Sequence, residues 1–385
     1  MKNIIITPTF EGHFQYIKKY LESFKKYAQD DNYLISFLIS IKEQKKFYKL
    51  IKDYASLPID VLLFENILDE FGVKGSPEDI LKKYGKFSYQ TIKKYYAMLH
   101  YNKEDRFLVL DSESMLVRDT DIGKLFSDFF SNPFISISHL NQRISISDFL
   151  QRVVDNDAFL GLDNGIWCLE NFVWFYEGHI LRDMIKELGT PFQIINKVHL
   201  HNKGDSSLAG VFEIELYQNF IYKHRQKYKY KIVNVNKGLQ NYIPANMLRE
   251  YNQNLDALHV GNCGILERCT DFITNENYKY FAEFMKDNRF NIIRCDYTNL
   301  KNYQLQKAFL DIVKPNILAA SQAHAFGVNN AQIILLKQTK YYQKLCRHTK
   351  KFTDFMGNFF EPFSIIWYVL KLIFYLPKFY KRYNF

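Results

Sequence analysis

The amino-acid sequence predicts an α/β fold: a Rossmann-like domain with a mostly parallel sheet, followed by a helical C-terminal tail. Three observations predict it. β-Branched apolar runs alternate with segments of helical apolar spacing, several runs end at turn or polar residues, and 47% hydrophobic with 24% charged residues is ordinary for a globular protein. Ligands of an open parallel sheet bind beyond the carboxyl ends of its strands. The residues that follow each strand are therefore the first place to seek function.

The predicted elements alternate between strand and helix through the N-terminal third. Ile4–Ile6 is a β-branched run that ends at the turn signal Thr7-Pro8-Thr9. The further strands of this third are predicted at Tyr33–Ile39, Ile59–Phe64 and Arg106–Leu110, and the helices between them over Phe14–Tyr27, Glu43–Tyr54 and Ser88–Tyr101. Later in the chain, helices are predicted over Trp174–Leu188 and Phe212–Tyr222 and a strand at Asn291–Arg294.

The cysteines and the N-terminus bear on the compartment. The five cysteines include no C-x-x-C pair, which argues against a disulfide framework and a zinc knuckle and is typical of a reducing compartment. The apolar run at the N-terminus is too short for a signal peptide. We therefore expect a protein exposed to the cytoplasm.

The positive charge of the chain is concentrated near its C-terminus. Of a net charge of +10, residues 337–385 contribute ten Lys and Arg against two Asp and Glu. Five basic residues from Lys337 to Lys351 recur at intervals of three and four, which places them on one stripe of a helix.

The aromatic segment that follows, residues 362–377, contains a lysine and is shorter than the ~20 apolar residues that span a bilayer. We expect this tail to lie on an anionic membrane surface, and the alternative is a helix packed on the α/β domain. Nucleic acid is not an expected partner, because a nucleic-acid-binding domain would normally spread its basic residues over a folded face.

A pair of acidic residues follows the fourth predicted strand. Asp111 and Glu113 stand one residue apart at the exit of the apolar run that ends at Leu110. Carboxylates at the end of a buried strand are costly unless they bind a positive group, and their hard oxygen atoms suit Mg²⁺ or Mn²⁺. The alternative is a solvated loop with two surface acids.

The stretch from Thr91 to Val117 resembles the helix-strand-DxD unit of the GT-A fold nucleotide-sugar glycosyltransferases of the bacterial surface-polysaccharide type. The resemblance implies that Asp111 and Glu113 hold a Mn²⁺ or Mg²⁺ ion, and that Asp111 and Ser112 contact the donor. Glutamate in place of the commoner second aspartate is a departure that puts direct ligation by Glu113 in doubt.

A lysine of the helix before this strand faces the diphosphate in the same enzymes. The segment Gln90-Thr-Ile-Lys93 is similar to their Q-x-x-K form, so Lys93 is the first choice for that role and Lys94 is the second. A helix lysine that faces solvent is the alternative reading.

Two further segments are similar to the same family. Ile6–Phe10 is similar to its first strand and turn, where the base and ribose rest, so Thr7-Pro8-Thr9 is expected to contact the donor. A strand that simply ends at a proline is the alternative. Ala257–Gly261 resembles an H-x-G segment that supplies an imidazole to the ion in one branch, so His259 is expected as a third ligand unless it is structural.

Catalysis by an inverting transferase also needs a base for the attacking hydroxyl. Phe212–Phe220 resembles an E-x-E-L-Y-x-N segment of bacterial relatives, so Glu213 and Glu215 are candidates, of which only one is expected to line the cleft. Acids favoured at a helix N-terminus are the alternative. Asp163 is the competing candidate, although a type I′ turn would explain the Asn164-Gly165 pair beside it.

The resemblance covers roughly residues 1–265, the predicted catalytic domain, with residues 266–336 as a helical extension and residues 337–385 as the tail. It implies a hexosyltransferase-like enzyme that uses a nucleoside-diphosphate sugar, with UDP-sugar favoured, and a lipid-linked glycan acceptor of lipooligosaccharide, O-antigen or capsule synthesis. Such an enzyme would be peripheral on the inner face of the bacterial cytoplasmic membrane. The alternative is a membrane-docked binding or scaffold protein that has kept the fold and lost the activity.

Overall fold

A five-stranded sheet forms the centre of the fold in the computed structural model. The structure describes residues 1–139, 155–162, 166–167, 174–204, 210–234, 238, 240–247, 278–287, 292–293 and 319–321. Its strands are β1 (Asn3–Pro8), β2 (Leu34–Ile39), β3 (Ile59–Leu63), β4 (Arg106–Val109), β5 (Ser114–Leu116), β6 (Phe134–His139), β7 (Ile166–Trp167), β8 (Phe175–Glu177), β9 (Lys231–Asn234), β10 (Ile292–Ile293) and β11 (Ala319–Ser321).

The strand order of the central sheet is β3-β2-β1-β4-β8. The first four strands are parallel, and β8 runs antiparallel to β4. In this register Ile5 lies between Ile35 and Leu108. Because β1 and β4 are parallel neighbours, the residues that leave their carboxyl ends meet at the same edge of the sheet, as expected of a Rossmann-like arrangement.

Two three-stranded sheets complete the described strands. β6 pairs in parallel with β9 and antiparallel with β7, while β11 pairs antiparallel with β5 and in parallel with β10. The strand β5 follows β4 after the Asp111-Ser112-Glu113 turn, so that turn joins the central sheet to a second one.

The helices connect the strands. They are α1 (Phe14–Tyr27), α2 (Gln44–Ile51), α3 (Phe64–Glu70), α4 (Pro77–His100), α5 (Ile122–Ser131), α6 (Gly178–Leu188), α7 (Pro191–His201), α8 (Glu213–Lys223), α9 (Arg225–Tyr228) and α10 (Tyr278–Asp287). None of the helices in the described part of the chain is both long enough and apolar enough to cross a membrane.

Helix α4 carries both lysines of the predicted site. It starts with a capping box, in which the Ser76 hydroxyl accepts from the backbone N–H of Asp79 at 3.1 Å and the Asp79 carboxylate accepts from the N–H of Ser76 at 3.2 Å. Gly85 interrupts the helix with a φ of 77°, a conformation that glycine adopts without a Cβ clash. The part after Gly85 buries Ile92 and its neighbours against the sheet.

The sequence-based elements compare well with the structure, with two corrections. The first four predicted strands and the mostly parallel sheet are confirmed, as is the helix that starts at Glu213. Helix α4 begins at Pro77 rather than Ser88, because the Ser76 cap starts it earlier. The helix predicted over Trp174–Leu188 is wrong at its start, since Phe175–Glu177 is a strand paired with β4. Consecutive aromatic residues favour a strand buried on both faces over a helix.

Candidate functional site at the carboxyl ends of strands β1 and β4

The carboxyl ends of β1 and β4 bring the predicted donor-binding residues to one edge. The backbone N–H of Leu110 donates to the carbonyl of Ile6 at 3.0 Å, which continues the pairing up to the residue before Asp111. On the other side of β1, the N–H of Thr9 donates to the carbonyl of Leu38 at 3.1 Å. Three strand ends are thus fixed next to one another by backbone hydrogen bonds.

The Asp111-Ser112-Glu113 segment forms a tight turn at this edge. The N–H of Ser114 donates to the carbonyl of Asp111 at 2.9 Å, which folds the chain back into β5. The side chains of Asp111 and Glu113 are partly exposed, whereas Ser112 is buried. The hydroxyl of Ser112 donates to Oε2 of Glu113 at 3.1 Å. Two carboxylates therefore stand at the strand end, as the sequence predicted.

A histidine that the sequence analysis did not single out reaches the same turn. His13, in the 3₁₀ turn Glu11–His13 after β1, places its Nδ1 2.8 Å from Oγ of Ser112 and 3.3 Å from Oε2 of Glu113. Burial, with a contribution from the charge of Glu113, raises the pKa of the neighbouring Tyr16 to about 12. The sequence signal that could have identified His13 is a polar residue in the turn after β1, four positions beyond Thr9.

Lys93 is buried at the end of β1 rather than solvent-facing. Its side chain is 6% exposed, and Nζ donates to the carbonyl of Thr9 at 3.3 Å. Burial lowers the pKa of Lys93 from 10.5 to about 8, against an opposing influence of Glu43 and Glu65. A buried amino group thus lies at the carboxyl end of β1.

Glu43 and Glu65 were missed by the sequence analysis and hold the neighbouring loops. Oε1 of Glu43 accepts from the N–H of Glu11 at 2.8 Å, and its Oε2 accepts from that of Ser40 at 3.2 Å. Glu65 accepts from the N–H of Ile41 at 2.9 Å and from the Ser40 hydroxyl. These two carboxylates tie the loops after β1, β2 and β3 together, and they supply the negative charge that favours protonated Lys93.

Lys94, the second choice for the diphosphate, has a different partner. Its Nζ forms a buried ion pair with Oε1 of Glu213, and Oε2 of Glu213 accepts from the Thr91 hydroxyl at 3.0 Å. The side chains of Lys94 and Glu213 are only 6% and 3% exposed. This pair joins α4 to the first turn of α8, so Glu213 is neutralised inside the protein.

Glu215 is also buried, and its neighbour is a second acid. Asp157 accepts from Nδ2 of Asn219 at 2.6 Å and is hydrogen-bonded to Glu215. Burial raises the pKa of Asp157 to about 7. One of Glu213 and Glu215 was expected to line an open cleft. Instead, the side chains of both are buried inside the protein.

The residues of the Thr7-Pro8-Thr9 turn differ in what they can contact. The Thr7 hydroxyl lies 2.9 Å from the hydroxyl of Tyr20 and is fully buried. The structure places that side chain against helix α1. Thr9 is 2% exposed, and among the described residues its hydroxyl finds no hydrogen-bond partner. Thr9 is therefore the polar side chain of this turn that remains to be satisfied.

Three predicted features lie outside the residues that the structure describes: Asp163, His259 and the tail 337–385. Within the described ranges, no group of three His, Cys, Asp or Glu side chains has a metal-binding arrangement. Asp111 and Glu113 provide carboxylate oxygen atoms, the ligand type that Mn²⁺ and Mg²⁺ prefer, so these two side chains fit such an ion.

Comparison with known proteins gives structural likenesses only. No family model matches the chain, and no curated protein sequence does. The chain is similar to mouse xyloside xylosyltransferase 1 in its apo form, at 11% identity over 61% of this chain and 85% of that one, with a TM-score of 0.33.

It is similar to the galactosyltransferase LgtC in complex with donor and acceptor sugar analogs, at 14% identity over 60% of this chain and 72% of that one, with a TM-score of 0.34. A mannose-6-phosphate isomerase from Helicobacter pylori is also similar, at 14% identity over 61% and 98% of the two chains, with a TM-score of 0.31. Glycosyltransferases, the class implied by the sequence resemblance, are thus found among the similar structures.

Proposed function

We propose that this protein is a metal-dependent glycosyltransferase that moves a sugar from a nucleoside-diphosphate donor to a membrane-associated glycan acceptor. Two observations support it: Asp111 and Glu113 follow β4, and buried Lys93 donates to the carbonyl of Thr9 at the end of β1, the strand paired with β4. Acidic side chains and a buried cation at neighbouring strand ends suit a ligand that carries both a divalent ion and a diphosphate.

The two carboxylates are assigned to the ion. Asp111 is the first residue after the β4 pairing and is proposed as the principal ligand, with Glu113 beside it and His259 as the third. A bound Mn²⁺ or Mg²⁺ would neutralise charge on the donor diphosphate. The backbone of the turn that holds Asp111 is fixed by the Ser114 hydrogen bond, which restricts where its carboxylate can lie.

Lys93 is assigned to the diphosphate end of the donor. With a pKa of about 8, its ammonium form predominates at pH 7, and it stands in a buried position where an attraction to phosphate is screened little by water. Its hydrogen bond to the Thr9 carbonyl orients the ammonium group toward the end of β1. Lys94 is not proposed for this role, because Glu213 neutralises it.

The proposal also includes a base that accepts the proton of the attacking hydroxyl. A base must come within hydrogen-bond reach of that hydroxyl. Glu213 is occupied by Lys94 and Thr91, and Glu215 is buried next to Asp157. Asp163 is therefore proposed as the base, and Glu213 and Glu215 are proposed to support the site from inside the fold.

The acceptor and the location are proposed from the charge of the sequence. The ten Lys and Arg residues of segment 337–385 would be attracted to anionic lipid. An enzyme held at the cytoplasmic surface of a bacterial membrane would meet a lipid-linked glycan at a raised effective concentration. UDP-sugar is the proposed donor.

A thermal-shift screen tests the proposal. UDP, GDP and CDP are each added with Mn²⁺ and with EDTA, because a ligand that binds the folded state raises its stability in proportion to the logarithm of its concentration over Kd. We expect UDP to stabilise the wild-type protein only with Mn²⁺. Asp111→Asn should abolish that shift, whereas the control Asp128→Asn, an exposed aspartate of α5, should retain it.

Catalysis is then separated from binding alone. A scaffold protein that had kept only the fold would show a Mn²⁺-dependent shift without turnover. Release of UDP from a UDP-sugar by the wild-type protein supports the enzyme. If UDP produces no shift in either condition, and no nucleoside diphosphate replaces it, the proposal fails.

A further inference from the structure

Helix α7 packs one side against the protein and turns the other side to solvent. Its buried residues are Pro191, Ile194, Ile195 and Val198. The hydroxyl of Tyr84 on α4 donates to Oδ1 of Asn196 at 3.0 Å, and Nζ of Lys83 lies 3.5 Å from the same oxygen. Lys83 of α4 therefore stands next to the outer side of α7.

The outer side of α7 ends in exposed apolar side chains. Leu200 follows Asn196 by four positions, which places it on the same side of the helix, and it is 66% exposed. Phe159, in the helical segment 155–159, is 46% exposed, and its ring stacks on that of His201 at 4.3 Å between centroids. Leu200 and Phe159 thus lie at the same end of α7, next to His201.

Basic residues accompany these apolar side chains. Lys83, Lys197 and Lys203 are exposed, and the chain contains no acidic residue from position 188 to position 204. Nζ of Lys197 donates to a backbone carbonyl at 3.0 Å, which leaves its charge in place. The N–H of Lys203 donates to a carbonyl of the last turn of α7 at 3.0 Å, so this lysine directly follows the apolar end of the helix. The helical segment that carries the phenylalanine contributes one exposed acid, Asp155, so the surface is net positive.

Exposed lysines beside exposed apolar side chains form what we call the α7 face, which consists of Lys83, Phe159, Lys197, Leu200, His201 and Lys203. We propose that the α7 face contacts an anionic phospholipid bilayer, with its lysines at the headgroup phosphates and its two apolar side chains at the boundary with the acyl chains. The basic charge complements such a surface. It disfavours the chain's own segment 337–385 as the occupant, because that segment carries ten Lys and Arg against two Asp and Glu. A nucleic acid would meet the lysines but would leave the apolar side chains in water.

The α7 face acts together with the proposed tail. One modest membrane signal gives only marginal, reversible attachment, and a second signal on the same chain binds at a raised effective concentration. We therefore expect the tail to supply most of the affinity and the α7 face to fix which side of the α/β domain meets the membrane. The inference rests on the proposed function for the membrane location alone, and needs neither the metal nor the UDP-sugar.

Sedimentation of the full-length protein with vesicles tests the charges of the face. Vesicles of phosphatidylglycerol mixed with phosphatidylcholine are compared with phosphatidylcholine alone in about 0.1 M salt, where charges more than ~10 Å apart are largely screened. One variant combines Lys83→Gln, Lys197→Gln and Lys203→Gln, and should bind the anionic vesicles more weakly by about fivefold for each lysine removed. The matched control combines three substitutions at exposed lysines in or next to α2, Lys45→Gln, Lys49→Gln and Lys52→Gln. This control should bind within about twofold of the wild type.

Substitutions of Leu200 test insertion. Leu200→Ser should weaken binding roughly tenfold, and the loss should persist at high salt because an apolar contact is not screened. Leu200→Trp keeps an apolar group, and its added fluorescence should be quenched by lipids brominated in their acyl chains. Tyr48→Ser and Tyr48→Trp, at an exposed aromatic residue of α2, are the controls and should show neither effect. Quenching is measured as the increment over the wild type, whose tail contains Trp367.

Two results overturn the inference even if the tail binds vesicles. One is equal binding by the two triple-lysine variants. The other is wild-type binding of Leu200→Ser together with an unquenched Leu200→Trp, since the face would then attract lipid by charge without inserting. Thermal unfolding confirms that each variant is folded. If the wild-type protein prefers anionic vesicles in no condition, the membrane location fails and the inference falls with it, whereas metal-dependent release of UDP in solution still tests the enzyme separately.

Discussion

Replacing Lys93 by methionine should stabilise the fold and weaken donor binding at the same time. Burial lowers the pKa of Lys93 from 10.5 to about 8, after the opposing influence of Glu43 and Glu65. One pKa unit corresponds to about 1.4 kcal/mol, so holding the charged form inside the protein costs roughly 3 kcal/mol. Methionine keeps an apolar chain of similar length without that charge.

The sign follows from proton binding. The native pKa lies below the unfolded one, so between pH 8 and 10.5 the unfolded state binds more protons and the wild-type protein gains stability as pH rises. Below pH 8 both states are protonated, and the cost of the buried charge is fully present. The advantage of Lys93→Met should therefore be largest at pH 7 and should shrink as pH approaches 10.5.

Urea unfolding at pH 7.0 and pH 9.5 measures this difference. We expect the free energy of unfolding of Lys93→Met to exceed that of the wild type by up to ~3 kcal/mol at pH 7 and by less at pH 9.5, with the Mn²⁺-dependent UDP shift lost. Lys82→Met, at an exposed lysine of the same helix, should do neither. A Lys93→Met protein that is less stable at pH 7, yet binds UDP normally, would refute the reasoning and make Lys93 structural.

Three further changes test the buried Lys94–Glu213 pair, the buried Asp157 and the C-terminal tail. Glu213→Gln should lower the free energy of unfolding by about 3–5 kcal/mol, because it leaves the Lys94 ammonium buried and unpaired. An unchanged midpoint of urea unfolding would contradict the stabilising role of this ion pair. In the wild type the raised pKa of Asp157, about 7, makes the native state bind more protons than the unfolded state between pH 4 and 7, so the free energy of unfolding falls as pH rises. Asp157→Asn should therefore flatten the dependence of the free energy of unfolding on pH in this range. A dependence equal to that of the wild type would contradict the raised pKa. Removing residues 337–385 should release the protein from anionic vesicles in a sedimentation assay and preserve activity on a soluble acceptor; a truncated protein that unfolds, or still binds vesicles, would contradict the proposed tail.

The main sheet and the Asp111 turn were predictable because their signals are local. The β-branched run before Pro8 predicts β1, and the two acids directly after Leu110 predict the turn that follows β4. Each of these signals lies within a few residues of the sequence. The start of β8 was misassigned because its aromatic residues were grouped with the helix that follows, and the pairing with β4 that separates them is not local in sequence.

The site was only partly predictable because its contacts join distant parts of the chain. His13 meets Ser112, 99 residues away, only because β1 and β4 are parallel neighbours in a particular register. Lys93 and Lys94 are adjacent on one helix, so their turn of about 100° sends them to different surroundings. The carbonyl of Thr9 and the carboxylate of Glu213 distinguish the two lysines, and neither partner is near them in sequence.

Metal-dependent sugar transfer is tested by release of UDP from a UDP-sugar by purified full-length protein, monitored by chromatography in the presence of Mn²⁺ and in the presence of EDTA. We expect turnover with Mn²⁺, none in excess EDTA, and none for Asp111→Asn despite a melting temperature close to that of the wild type. Asp128→Asn should remain active, since its carboxylate belongs to an exposed pair with Lys124. Full activity of Asp111→Asn, or turnover that EDTA does not change, would contradict a divalent ion held at the end of β4.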